Sequence, residues 1–223
     1  HSPSTRLICL ENTHNFCQGS PISPEYMDSL GDLAEKYGLK VHLDGARLFN
    51  AAVALDIDVE VLTKRVDSVM FCLSKGLSAP VGSIVCGERD FIQKARKFRK
   101  MVGGGMRQAG HLAAAGLVAL ESLTERLKDD HIHAKFLAEQ LASFEGIELD
   151  QNSVKTNIIF FKLNHPRIDE DLFLRTLEAN SIKILMTDPG IFRAVLHREI
   201  TREQVETVAK VIQSVLNKGQ QVS

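Results

Sequence analysis

Short apolar runs that stop at a charged or small residue recur along this chain with helical segments between them, and this alternation restricts the fold more than any other feature. Arg6 to Leu10 (RLICL) leads into the polar Glu11-Asn12-Thr13-His14-Asn15, Leu39 to Leu43 ends at Asp44-Gly45-Ala46-Arg47, and Ser68 to Leu73 (SVMFCL) ends at Ser74-Lys75-Gly76. Runs this short and apolar, bounded by turn residues, fit buried strands. Ser23 as N-cap and Pro24 at the first helical position open a helix whose apolar side is Met27, Leu30, Leu33, Ala34 and Tyr37, and Gly38 closes it. Leu48 to Leu55 and Val59 to Arg65 supply two shorter helices, and Gly82 to Cys86 a further strand. Strands separated by helices require crossover connections on a mainly parallel sheet, buried on both faces.

Beyond Glu88 the pattern changes. A strongly basic helix to Met101 is followed by Gly103-Gly104-Gly105, a small-residue helix from about Gln108 to Leu120, and a helix over Thr124 to Phe144. After Gly146 come strand Asn157 to Leu163, helix Glu170 to Ala179, strands Lys183 to Met186 and Phe192 to Leu196, and a last helix. Thr201 and Gln204 form a capping box for that helix, with Val205, Val208, Ala209, Ile212 and Val215 on its inward side. The expected organisation is an α/β domain over residues 1–123 and a small α+β domain with its connecting helix over 124–223, ending in a disordered tail from Lys218. The chain opens on His1, not Met, so a fragment whose start lies upstream is expected.

Composition narrows the function. At 223 residues and 44% hydrophobic the chain can bury a substantial core, and 27 basic against 28 acidic residues leave a formal charge of -1. No overall cationic field exists to hold nucleic acid or an anionic membrane, and no run reaches the roughly 18 apolar residues of a membrane span. A small-molecule partner is expected. Cys9, Cys17, Cys72 and Cys86 show no metal-type spacing, nor do the scattered histidines, so neither a disulfide framework nor a catalytic metal is expected.

Asp44 and Lys75 carry the chemistry. Each follows a buried strand, and in an open α/β sheet ligands bind outside the carboxyl ends of the strands. An amine partly desolvated by Leu73, Gly76 and Leu77 can act as a carbonyl nucleophile, forming a Schiff base. A carboxylate opposite it would keep a pyridine nitrogen protonated, and the pair is what pyridoxal phosphate needs. Taken singly, a lysine is ordinarily a solvated side chain and an aspartate before glycine a turn residue.

The runs Leu10-Glu11-Asn12-Thr13-His14-Asn15, His42 to Asn50 (HLDGARLFN), Cys72-Leu73-Ser74-Lys75-Gly76-Leu77 and Gly103-Gly104-Gly105-Met106-Arg107-Gln108 together resemble those of the low-specificity L-threonine aldolases. That resemblance implies a pyridoxal 5'-phosphate enzyme of fold type I, here lacking its N-terminal part, and a lyase cleaving L-threonine or L-allo-threonine to glycine and acetaldehyde. It implies Lys75 as the Schiff-base lysine, Asp44 as partner of the ring nitrogen, Arg47 as a contact to cofactor or substrate, and Arg193 as the clamp on the substrate carboxylate. Arg107 would reach the phosphate of a neighbouring subunit, with Lys100 nearby, in a homodimer or homotetramer. His1 stands thirteen residues before His14, the place of a family histidine, and is the candidate base. Solvent-facing roles stay open for Lys100 and Arg193, capping of a backbone carbonyl for His14, and local hydrogen bonding for His42, His111 and His197. The family's glycine-threonine phosphate loop and its ring-stacking histidine lie upstream of everything in this chain. A catalytically impaired relative, or another fold-type-I enzyme acting on amino acids, is therefore the alternative; the expected compartment is the cytoplasm, with mitochondria as the other option.

Overall fold

In a computed structural model, the described residues are 3–218, so the His1 assignment and the tail beyond Lys218 lie outside them. The chain divides into two compact units: one takes in the chain up to His14 with Pro21–Leu127, the other Asn15–Ser20 with the chain from Lys128.

The first unit carries β1 (Leu7–Glu11), α1 (Pro24–Tyr37), β2 (Lys40–Asp44), α2 (Leu48–Leu55), α3 (Val59–Thr63), β3 (Ser68–Cys72), β4 (Ser83–Gly87), α4 (Arg89–Met101) and α5 (Gly110–Ser122). Its strands lie in the order β1-β2-β3-β4. The first two pairings are parallel and the last antiparallel. The start of α1 follows its sequence: Ser23 Oγ accepts from Tyr26 N at 3.3 Å, and Gly38 turns left-handed at φ 64° to close the helix.

Alternation along the strands separates two faces. Leu43 of β2 and Val69 of β3 pack with Met27 of α1, Leu48 and Ala51 of α2 and Leu62 of α3, and Val41 of β2 is buried as well. On the other face Cys9, Glu11, His42, Asp44, Met70 and Cys72 are half-buried or exposed, and only Ser68 is buried. Every residue of β4 is exposed, and α4 buries none of its residues. A sheet enclosed on both faces is therefore not what these residues form. Ile84 and Val85 are 37% and 44% exposed because an apolar run states what a strand can bury, not whether a partner lies against it. The stripe on α1 is also narrower than the spacing predicts. Met27, Gly31 and Ala34 are buried, with Gly31 against the Arg65 side chain, whereas Leu33 and Tyr37 are exposed.

The second unit holds α6 (Leu127–Ala142) from Lys128 onward, then β5 (Ile147–Glu148), β6 (Ile158–Leu163), α7 (Glu170–Ala179), β7 (Leu185–Asp188), β8 (Ile191–Val195) and α8 (Arg202–Lys218). Its sheet, β5-β6-β8-β7, is antiparallel throughout. Three aromatic rings centre the core: Phe192 stacks on Phe161 at 5.5 Å and meets Phe173 edge-on at 5.1 Å. The capping box forms, with Thr201 N donating to Gln204 Oε1 at 2.9 Å and Gln204 N to Thr201 Oγ1 at 3.3 Å. Val205, Ala209, Ile212 and Val215 are buried as the periodicity predicts, and Val208 is half-buried. The two-residue β5 gives no sequence signal of its own.

Candidate functional site

Three parallel strands deliver their carboxyl ends to one rim of the first unit. Glu11 lies opposite Asp44 in the β1–β2 ladder, and Asp44 opposite Met70 in the β2–β3 ladder. Pairing continues past the strands, since Asn12 N donates to Asp44 O at 3.0 Å and Gly45 N to Met70 O at 2.8 Å. A Cβ on Gly45 would stand 2.8 Å from Met70 O, so glycine is what lets the chain turn this close to β3.

That turn fixes the acid. Asp44 is half-buried, and its Oδ1 accepts from Ala46 N at 3.0 Å. Its Oδ2 accepts no hydrogen bond among the described residues. Arg47, three residues on, is half-buried too. Burial lowers its pKa below the usual arginine value, while Glu11, Cys72 and Asp44 pull it back up. Those three side chains come from three strand ends, so the guanidinium sits in an electronegative setting shared by β1, β2 and β3. Glu11 was not singled out in the sequence. It also meets His14, Nε2 to Oε2 at 3.3 Å, and its signal was its place as the first charged residue after RLIC-Leu10.

Lys75 follows β3 by three residues, in a turn where Ser78 N donates to Lys75 O at 2.9 Å and Ala79 N to Leu73 O at 3.0 Å. Leu73, Leu77 and Ala79 bury into a cluster with Ala119 and Leu127. Lys75 itself is exposed and its amine has no partner among the described residues. The shielding expected from Leu73 and Leu77 does not arise, because both are buried in that cluster while Lys75 stays exposed.

Asn12 completes the rim. It is 0% exposed, its Oδ1 accepts from Ile22 N at 3.0 Å, and its Nδ2 is buried without a hydrogen-bond partner. Thr13 beside it is 1% exposed at φ 60°, with its hydroxyl bonding Asn12 O. A left-handed threonine and an unsatisfied amide next to a strand end are features that gather at functional sites. His42 has a local role, its Nδ1 bonding Ser68 Oγ at 2.8 Å.

The remaining described candidates stand on other elements. Lys100 is in the last turn of α4, and its side chain lies along the glycine run, 3.2 Å in Nζ from where a Cβ of Gly105 would be. Arg107 is exposed and precedes α5 by three residues, so it does not stand in a helical first turn. Arg193 is half-buried on β8 of the second unit. No group of three or more His, Cys, Asp and Glu suited to a metal occurs among the described residues, and none of their helices is long and apolar enough to cross a membrane.

Comparison with known proteins extends these observations. The sequence profile of the beta-eliminating lyases matches residues 1–164. Low-specificity L-threonine aldolase 1 of Arabidopsis thaliana is 45% identical over 215 residues, covering 96% of this chain and 60% of the plant protein. The low specificity L-threonine aldolase of Escherichia coli strain K12 is 39% identical over 209 residues, covering 94% of this chain and 60% of its own. The chain thus spans about 60% of the length of these curated relatives. Among solved structures, a threonine aldolase of Leishmania major superposes with a TM-score of 0.74 at 17% identity, covering 95% of this chain and 61% of that one. A PLP-dependent aminotransferase of Streptococcus suis gives 0.74 at 18% identity, covering 100% and 60%. At such low identity these two establish the fold alone.

Proposed function

The chain belongs to the beta-eliminating lyase family, and on that premise we propose that it acts as a pyridoxal 5'-phosphate-dependent aldolase, converting L-threonine or L-allo-threonine to glycine and acetaldehyde. Relatives named for that activity support the reading. The observation that carries it is the rim itself: an acid with one uncommitted oxygen at the end of β2 and an unpartnered amine just past the end of β3, the adjacent parallel strand.

The residues present fit the cofactor. A protonated ring nitrogen needs an anionic acceptor, and Asp44 Oδ2 is open while Oδ1 is fixed by Ala46 N. A ring hydroxyl or substrate group needs donors, which Arg47 offers, and the buried Asn12 Nδ2 lacks an acceptor. Bound there, pyridoxal phosphate would supply an aldehyde for an amine and a ring that accepts the electron pair of a breaking bond at a substrate α-carbon. Lys75 provides the amine. Asp44 keeps the proton on the ring nitrogen, and its fixed carboxylate does so without reorganising. Arg193 holds the substrate carboxylate by its planar fork, which decides which α-carbon bond is presented for cleavage. Lys100 and Arg107 serve the phosphate. His1 takes the proton of the substrate hydroxyl as acetaldehyde departs. In this reading residues 1–123 bind cofactor, 124–223 bring the carboxylate clamp, and the working form is a cytoplasmic or mitochondrial homodimer or homotetramer.

The test is covalent mapping. Incubation with pyridoxal phosphate, borohydride reduction and peptide mass spectrometry should place the pyridoxyl group on Lys75, and Lys75→Ala should lose both that label and threonine cleavage by several orders of magnitude. Labelling spread over many lysines, or a near-normal Lys75→Ala variant, overturns the assignment. The fold shared with an aminotransferase keeps transamination as a second reading. Product analysis separates the two: acetaldehyde marks cleavage, a keto acid marks transamination.

A further inference from the structure

The second unit contains a cleft of about 300 Å³ that the catalytic reading leaves unused. It opens where β8, α8 and the turn after α7 meet. Its floor is apolar and closed to water, with Leu137 3%, Leu196 4% and Val205 0% exposed. Its rim is polar, and part of that polarity is already committed. Asn180 Nδ2 donates to Thr176 O, Gln204 Oε1 accepts from Thr201 N, and the Thr207 hydroxyl donates to Glu203 O. What remains is Asn180 Oδ1, Gln204 Nε2, the Ser181 hydroxyl and the exposed Lys183 ammonium, the one charged group of the lining, which has no ionic partner among the described residues.

We propose that this cleft binds a small amphiphilic carboxylate, its hydrocarbon body against Leu137, Leu196 and Val205 and its anionic end at Lys183 and Ser181. The cleft's volume matches the lower range of small-molecule sites, and an apolar floor with a polar, charged mouth suits an amphiphilic occupant. The single uncommitted charge at the mouth selects the sign of the ligand. Nothing in this inference depends on the aldolase reading, because no residue of the strand-end rim takes part.

Octanoate is the probe, with octanol as the uncharged tail and decyltrimethylammonium as the wrong charge. Titration of the methyl-labelled full chain, followed by NMR, should give saturable shifts at Ile182, Ile184, Leu196 and Val208 with octanoate. Affinity should rank octanoate above octanol by about fivefold and the cation last. Lys183→Met, an exposed change that leaves the core intact, should remove the octanoate advantage and leave octanol binding unaltered. Val208→Phe should fill the cleft and abolish both. Shifts that are absent or centred elsewhere, equal affinities for octanoate and octanol, or a Lys183→Met variant that keeps the octanoate advantage would each overturn the proposal, even if Val208→Phe fails to fold.

Discussion

Gly45 shows how tightly a single position is constrained. The Cβ of an alanine would lie 2.8 Å from Met70 O and 2.9 Å from Leu48 Cβ, against backbone on one side and a buried leucine on the other. Gly45→Ala is expected to lower stability by about 1–3 kcal/mol, read from the urea midpoint. Lys40 and Asp67 form the other informative contact, Nζ to Oδ1 at 2.5 Å, with Val41 N donating to Asp67 Oδ2 at 2.8 Å. Burial pushes the Asp67 carboxyl up, but Lys40 and the Val41 N–H outweigh it and hold its pKa below the usual value. A depressed carboxyl pKa stabilises the fold above the ordinary carboxylate range, and the benefit is lost as pH falls through the lowered value. Asp67→Asn should therefore cost about 1 kcal/mol at neutral pH, after discounting for solvent, and the gap to the unaltered chain should close below pH ~4. Denaturation series at the two pH values check it.

Elements carry the next two expectations. The start of α8 depends on two reciprocal bonds between Thr201 and Gln204, so Thr201→Ala should cost about 1 kcal/mol and fray the first turn. Amide exchange at Gln204 and Val205 would report it. In α6, burial pushes the His131 pKa down to about 4. The folded chain keeps this imidazole neutral while the unfolded chain binds a proton below about pH 6.5, so stability is full above that value and falls between 6.5 and 4. His131→Gln should flatten the slope, a difference of at most about 3 kcal/mol at the acid end; a slope unaltered by the substitution would assign the acid loss to other groups.

At the scale of the whole molecule, the core of the second unit shares no residue with the two clusters of the first. Phe192→Ala should cost about 3–5 kcal/mol, with hydrogen-exchange protection lost in β6, β8 and α7 and retained in β2. Loss of protection in β2 as well would show that the units unfold together. Much of the architecture was legible in the sequence, because Pro24, Gly38 and the Thr201–Gln204 pair mark boundaries by local chemistry that operates wherever the helix lies. The strand-end positions of Asp44 and Lys75 were legible for the same reason. Exposure was not. Nothing in SIVC tells whether β4 is covered, nothing in the spacing shows that Leu77 is buried while Lys75 stays exposed, and the proximity of Glu11 to Arg47 exists only once three strands stand side by side. Asp44 hangs between two hydrogen-bonded ladders, so slippage of either by one position would send it through to the apolar side and bring Leu43 or Gly45 to the rim. The tolerance on the chemistry is thus inherited from the interior of the sheet, and changes to Val41 or Leu43 belong among those that can silence the rim without touching it.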